Sequence, residues 1–199
     1  MEMIQEHSDL SAYLVADEAV DHDHPYVRET ADALWTATGD ALAYAEAAFE
    51  FVRDAVAHSG DSGDDRVTWR ASDVLSTRTG ICYAKAHALA ALLRARGIPA
   101  ALCYQRLTED DGSDPVVHGL VALQPPWADR WSRLDPRGNK PGVDARFSLD
   151  RERLAFPVRP ELGECDYPAL HAAPHPLALR ALQESADRRE LWRNLPTAL

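Results

Sequence analysis

The sequence predicts an α+β fold, with helices gathered in the first half and a small antiparallel sheet after them. Three observations carry that prediction. Apolar residues recur at three- and four-residue steps through Leu42, Ala45, Phe49, Val52 and Val56, the period of an amphipathic helix. A second, alanine-rich run, CYAKAHALAALLRARGIP, begins at Cys82 and closes on a stop signal. Beyond it, AALCYQRL (100–107) and VVHGLVAL (116–123) are short apolar runs bounded by turn residues, the signature of strands. Helices followed by strands, rather than alternating with them, argue against a doubly wound parallel sheet.

Taken in order, residues 11–20 form a short element closed by the turn residues of DHDHP, and Tyr26 to about Trp35 reads as a helix. The periodic helix spans about 40–58 and stops at the loop SGDSGDD. The helix that opens at Cys82 ends near Arg96: Gly97 takes the left-handed position after the last turn, Ile98 and Leu93 supply the apolar pair of a Schellman stop, and Pro99 forbids continuation. A third strand, RWSRLDP (130–136), follows QPPWAD closely enough to form a hairpin with the second. From Arg137 the chain is Pro-rich, then helical again through LALRALQESADRRELW. One domain over 1–199 is expected, with N-terminal helices at 11–58, a motif-bearing core at about 66–140, and the Pro-rich segment and final helix at 141–199.

Composition narrows the partners. With 46% hydrophobic and 27% charged residues the chain has the apolar content of a globular protein. A net charge of −11, with only two lysines, lacks the clustered cations that phosphate backbones require, so no nucleic acid is expected. Three cysteines without paired spacing fit a reducing compartment. No basic, apolar leader opens the chain and no run approaches a membrane span, so the expected location is cytoplasmic, with no membrane partner.

The chemistry centres on Cys82. A cysteine in an apolar helix is ordinarily a core residue. At a helix N-terminus, however, unpaired N–H groups and the dipole favour a thiolate and can hold an oxyanion, and the preceding TRTG offers a threonine to cap and a glycine for close approach. Such a nucleophile needs a base and an orienting group. A hairpin centred between Pro126 and Trp127 sets His118 directly opposite Asp135, within hydrogen-bonding reach across one face. A slip of one residue would send Asp135 to the other face.

These residues carry a resemblance. TGICYAKAHALAALLRARGIPA, then VVHGLVAL, then WSRLDP resembles the transglutaminase-like superfamily over about residues 66–140. The resemblance implies a cysteine-protease-like fold, a helix with an N-terminal cysteine packed on an antiparallel sheet, and a papain-like triad of Cys82, His118 and Asp135. It implies acyl transfer or amide hydrolysis through a thioester, on a peptide or protein amide, with a small amine or acyl donor as a further partner. No cofactor or metal is implied. The nearest likeness is to small bacterial proteins that hold this domain almost alone and share QRL and LDPRGNK. Many members carry an aromatic residue after the histidine, as in HAW; here Gly119 and Leu120 follow, which implies a less shielded imidazole or a roomier site. Two other readings stay open: a non-catalytic peptide-binding module on the same fold, and a small-molecule N-acyltransferase similar to the arylamine N-acetyltransferases.

Lesser candidates surround the three. Gln105, polar in an apolar strand, is either a donor to the site or a solvent-facing side chain. Trp69 is a candidate cleft wall or a core aromatic, Tyr83 a candidate substrate or oxyanion contact beside the cysteine, and Cys103 a neighbour of the site or core filling. His22, His24, His171 and His175 have superficial ligand spacings, but the proline within HAAPHP breaks any helical face, so no metal site is expected.

Overall fold

The computed structural model describes all 199 residues. In chain order they form β1 (Ile4–Gln5), a 3₁₀ turn (Leu10–Leu14), α1 (Pro25–Thr38), α2 (Ala41–Ala55), β2 (Ala57–His58), a single helical turn α3 (Ser59–Ser62), α4 (Ala71–Thr77), β3 (Thr79–Gly80) and α5 (Cys82–Ala95). The sheet strands β4 (Ala100–Leu107), β5 (Val116–Leu123) and β6 (Ser132–Leu134) follow. The chain closes with β7 (Cys165–Asp166), β8 (Ala169–Leu170), α6 (Pro176–Gln183) and α7 (Arg188–Asn194). This is the α+β, cysteine-protease-like arrangement expected, with four antiparallel strands in the order β6-β5-β4-β7. No helix is long and apolar enough to cross a membrane.

Helix α5 is buried on nearly every side, because α1, α2 and α4 cover it on one flank and β4 and β5 on the other. Its small alanines let those neighbours approach. Its end is the stop read from the sequence: Ile98 N–H bonds Leu93 O at 3.1 Å, Gly97 N–H bonds Arg94 O at 2.9 Å, and Gly97 has φ +69°. Arg94, 3% exposed, is a buried cation whose fork is occupied by backbone carbonyls. It donates to Ala100 O, Val15 O (2.7 Å) and Ala172 O (2.6 Å), tying both ends of the chain to the helix.

Several expectations are corrected. Helix α2 stops at Ala55, short of His58, because Lys85 Nζ donates to Val56 O and Ala57 N–H bonds Arg78 O, which turns the chain into β2. No threonine caps α5; Ile81 precedes it and its first N–H groups have no side-chain cap. Helix α4 was not anticipated and is fixed by Asp21, which accepts from Ser72 N–H (3.0 Å) and Oγ–H (2.5 Å). The final helical stretch is two helices, the second opened by Asp187 accepting from Glu190 N–H. The hairpin register is displaced by two residues: Val121 pairs with Leu134 and Leu123 with Ser132. Extending that register sets position 135 across from Leu120, so Asp135 is the diagonal, not the direct, neighbour of His118. An even displacement keeps the face, which is why the two still meet.

Candidate active site

Cys82 is the first residue of α5 and 6% exposed, opening on a cleft of about 1100 Å³ that His118 also lines. Two backbone devices place it. Strands β2 and β3 pair in parallel, His58 with Gly80, which fixes the approach to the helix. Gly119, next to His118, then lies against the first turn: a Cβ there would stand 2.7 Å from Tyr83 Cδ1 and 3.2 Å from Tyr83 Cα. Only glycine lets the strand and the helix start come this close.

His118 Nε2–H donates to Asp135 Oδ2 at 2.9 Å, which leaves Nδ1 as the nitrogen free for the thiol. Asp135, fully buried, also accepts Arg137 N–H on Oδ1 and Ala155 N–H on Oδ2, each at 3.0 Å. Burial alone would push the His118 ring down, but the negative charge of Asp135 and that available on Cys82 outweigh it and hold the ring up to about 10. Burial opposes ionisation of Asp135 too, yet the His118 charge and the two N–H groups keep its carboxyl below the usual range. The pair is therefore an imidazolium and a carboxylate near neutral pH.

The structure brings Cys82, His118 and Asp135 together and reassigns the rest. Gln105 pairs directly with His118 across β4 and β5 but does not reach the cleft. Its amide donates to Asp166 Oδ1 at 2.9 Å, and Asp166 is held by Arg133, which grips Glu152 through two bonds. Gln105 therefore belongs to a polar ladder beside the histidine. Tyr83 turns into the core, its hydroxyl donating to Val117 O, and Trp69 packs against the core under Arg70, its carbonyl accepting from His87. Neither side chain lines the cleft. Cys103 fills a small core with Tyr13, Leu120 and Leu170, where burial pushes its thiol up to about 12. His24 and His175 cap α1 and α6, His22 contacts Leu14 O and His171 contacts Glu6.

The imidazole is not less shielded, contrary to the reading of Gly119 and Leu120. His118 is 5% exposed, with the Phe156 ring edge-on at 5.4 Å. The shield comes from the Pro-rich segment, which Ala155 N–H and the Arg137 guanidinium over Phe156 hold in place. Sequence reasoning also missed His58, Asp61, Arg137 and Lys140 on the cleft wall, where Asp61 accepts from both cations. The signal for two of them, RGNK after the aspartate, was in view.

Comparison with known proteins follows the same lines. A model of the transglutaminase-like superfamily matches residues 28–136. The chain belongs to that superfamily. Among solved structures, a candidate cysteine protease from Cytophaga hutchinsonii is 19% identical with a TM-score of 0.52, over 66% of this chain and 43% of that one. The periplasmic domain of TgpA from Pseudomonas aeruginosa is 24% identical with a TM-score of 0.47, over 64% of this chain and 47% of that one. The chain thus spans less than half of either, and the first likeness speaks for the fold alone. None of the curated proteins compared matches. Within the superfamily's core, residues 28–136 take in Cys82, His118 and Asp135 and the cleft wall from His58 to Val117, whereas Arg137, Phe156 and Trp192 lie beyond it.

Proposed function

We propose that this chain is a cysteine-dependent acyl-transfer or amide-hydrolysing enzyme, with Cys82 as nucleophile, His118 as acid and base, and Asp135 as the group that orients the imidazole. The observation that carries the reading is the buried 2.9 Å contact between His118 and Asp135 beside a cysteine at an uncapped helix start. A structural core has no need of a charged pair there, since a buried ion pair is at best weakly stabilising against apolar packing.

In the proposed reaction the Cys82 thiolate attacks an amide carbonyl, forming the S–C bond. The oxyanion takes hydrogen bonds from first-turn N–H groups of α5. His118 gives its proton to the departing amine as the C–N bond breaks, leaving a thioester. Water or an amine then attacks; the neutral ring takes its proton, and the S–C bond breaks to restore the thiolate. No cofactor enters these steps. The acyl donor is a peptide or protein amide, which the size of the cleft accommodates. All three cysteines are free thiols, and a reducing, cytoplasmic setting would keep them so.

Iodoacetamide followed by mass measurement tests the assignment. Cys82 should label faster than Cys165, although Cys165 is exposed and Cys82 is not, and His118→Ala should slow Cys82 alone by about tenfold or more. Labelling of Cys82 no faster than Cys165 would sink the proposal. Loss of amide turnover in Cys82→Ala, with ligand binding kept, separates the enzyme from a peptide-binding module. A stable acyl adduct from small acyl donors would instead favour an N-acyltransferase.

A further inference from the structure

The cleft has a wall that the proposed chemistry does not use. From beside Cys82 it runs through His58 to Gly60 and Trp192. Strand pairing sets His58 next to Gly80, two residues before the nucleophile. The His58 and Trp192 rings then converge over Gly60: a Cβ at that position would stand 3.1 Å from His58 Cε1 and 2.8 Å from Trp192 Cζ2. The two rings therefore close on one point of the cleft, with a glycine beneath because a Cβ does not fit.

The tryptophan has a feature that a purely structural role leaves unexplained. Trp192 is 43% exposed on the cleft, although tryptophan is among the most costly side chains to leave in water. His58 is nearly buried, yet its Nδ1 has no hydrogen-bond partner, the nearest carboxylate oxygen, on Asp61, standing 3.9 Å away. Burial and the Arg137 charge keep that ring neutral, so it can face an apolar group without a charge to desolvate. The wall is also held rigidly. Arg188 N–H bonds Asp65 O at the start of α7, and Val117 N–H bonds Pro196 O just after it.

Direction follows from the proton transfer. His118 must reach the leaving amine, so the departing group lies against the imidazole and the acyl portion takes the cleft that remains, which includes the wall at Gly60. We propose that His58, Gly60 and Trp192 form the acyl-side subsite, which takes an apolar, preferentially aromatic, side chain of a peptide next to the carbonyl that Cys82 attacks. The inference rests on Cys82 being the nucleophile.

Chloromethyl ketones of acetylated phenylalanine and glycine test both claims separately. In each, the sulfur displaces chloride, so an S–C bond forms as C–Cl breaks, and the mass of labelled protein gives the second-order rate. Burying an aromatic ring against the wall should favour the phenylalanine probe by about tenfold to a hundredfold. Trp192→Ala should reduce that preference to within about twofold and leave the iodoacetamide rate at Cys82 unchanged, whereas Trp192→Phe should keep most of it. Gly60→Ala should also lose the preference, because the added methyl drives the two rings apart. Equal rates for the two probes in the unmodified protein, or a preference that survives Trp192→Ala, would overturn the subsite while a fast iodoacetamide reaction still upholds the nucleophile. Failure of iodoacetamide to favour Cys82 over Cys165 would bring down both.

Discussion

Replacing Asp135 by Asn keeps the shape of the side chain and removes its charge, and the structure sets the size of the effect. The carboxylate has no exposed surface and accepts three hydrogen bonds, from His118, Arg137 N–H and Ala155 N–H. An amide has one acceptor oxygen, so its NH₂ must face at least one of those donors, leaving a buried clash. The His118 ring rises from its ordinary value to about 10 against the opposing effect of burial, because Asp135 and Cys82 together favour the imidazolium. Breaking one side of such a buried pair costs about 3–5 kcal/mol, and that is the loss expected in urea unfolding at pH 6. Its pH dependence has a definite sign. His118 titrates higher in the folded than in the unfolded chain, so its contribution is complete below about pH 6.5 and is lost as pH rises through about 10. Asp135 titrates lower, so its contribution is lost only as pH falls through the acidic range. The gap between the parent and Asp135→Asn should therefore be widest at about pH 5–6.5 and narrow toward pH 10. In parallel, ¹⁵N spectra of the His118 ring should show its titration dropping by two units or more, because burial is then opposed by Cys82 alone. A stability gap that is flat with pH, or a ring that titrates within half a unit of the parent, would refute the ion-pair reasoning.

Two further outcomes follow from the site. Gly119→Ala should lower the thermal midpoint by an amount equivalent to about 1–3 kcal/mol and slow Cys82 alkylation, since the methyl would stand 2.7 Å from Tyr83 Cδ1; unchanged melting and labelling would show that the first turn of α5 is not seated on β5. His58 titrates near 3 when folded, so the unfolded chain takes up its proton first and stability falls as pH drops below about 6.5. His58→Gln should flatten that acid limb by up to about 1.4 kcal/mol per pH unit, as read by urea unfolding between pH 7 and 4; an unchanged limb would mean that His58 is accessible to solvent protons.

What the sequence made legible is mostly what is settled locally. The end of α5 depends on Leu93, Gly97, Ile98 and Pro99, all within one turn, and the structure reproduces each bond. The strands β4 and β5 were legible to the residue because their apolar runs are bounded by turns on both sides. What was missed depends on distant partners. Asp21 fixes α4 from 51 residues away, and Lys85 ends α2 from 29 residues away. The two-residue β2 and β3 have no pattern to read and exist because they pair with each other. Gln105 announced itself as an unusual strand residue, but its role was hidden, since Asp166 lies 61 residues along the chain.

The hairpin shows why a wrong register still gave the right residues. With two prolines and a tryptophan in the connection, local turn rules could not centre it, and the expected centre was one position early. Side-chain alternation has a period of two, so the displacement conserved the face and changed a direct pair into a diagonal one. A diagonal neighbour across an antiparallel pair is still within reach of an imidazole, and the 2.9 Å contact follows. The diagonal placement also leaves Asp135 just beyond the end of β6, where its carboxylate can take Arg137 N–H from the turn and Ala155 N–H from the Pro-rich segment. A directly opposed aspartate inside the strand would have had its surroundings committed to the ladder. The same offset that defeated the simple register therefore lets one carboxylate hold the histidine and anchor the segment whose Phe156 covers it. It also explains how a histidine followed by Gly119 and Leu120 is still covered by an aromatic ring. The glycine admits α5, and the aromatic ring arrives from elsewhere in the chain.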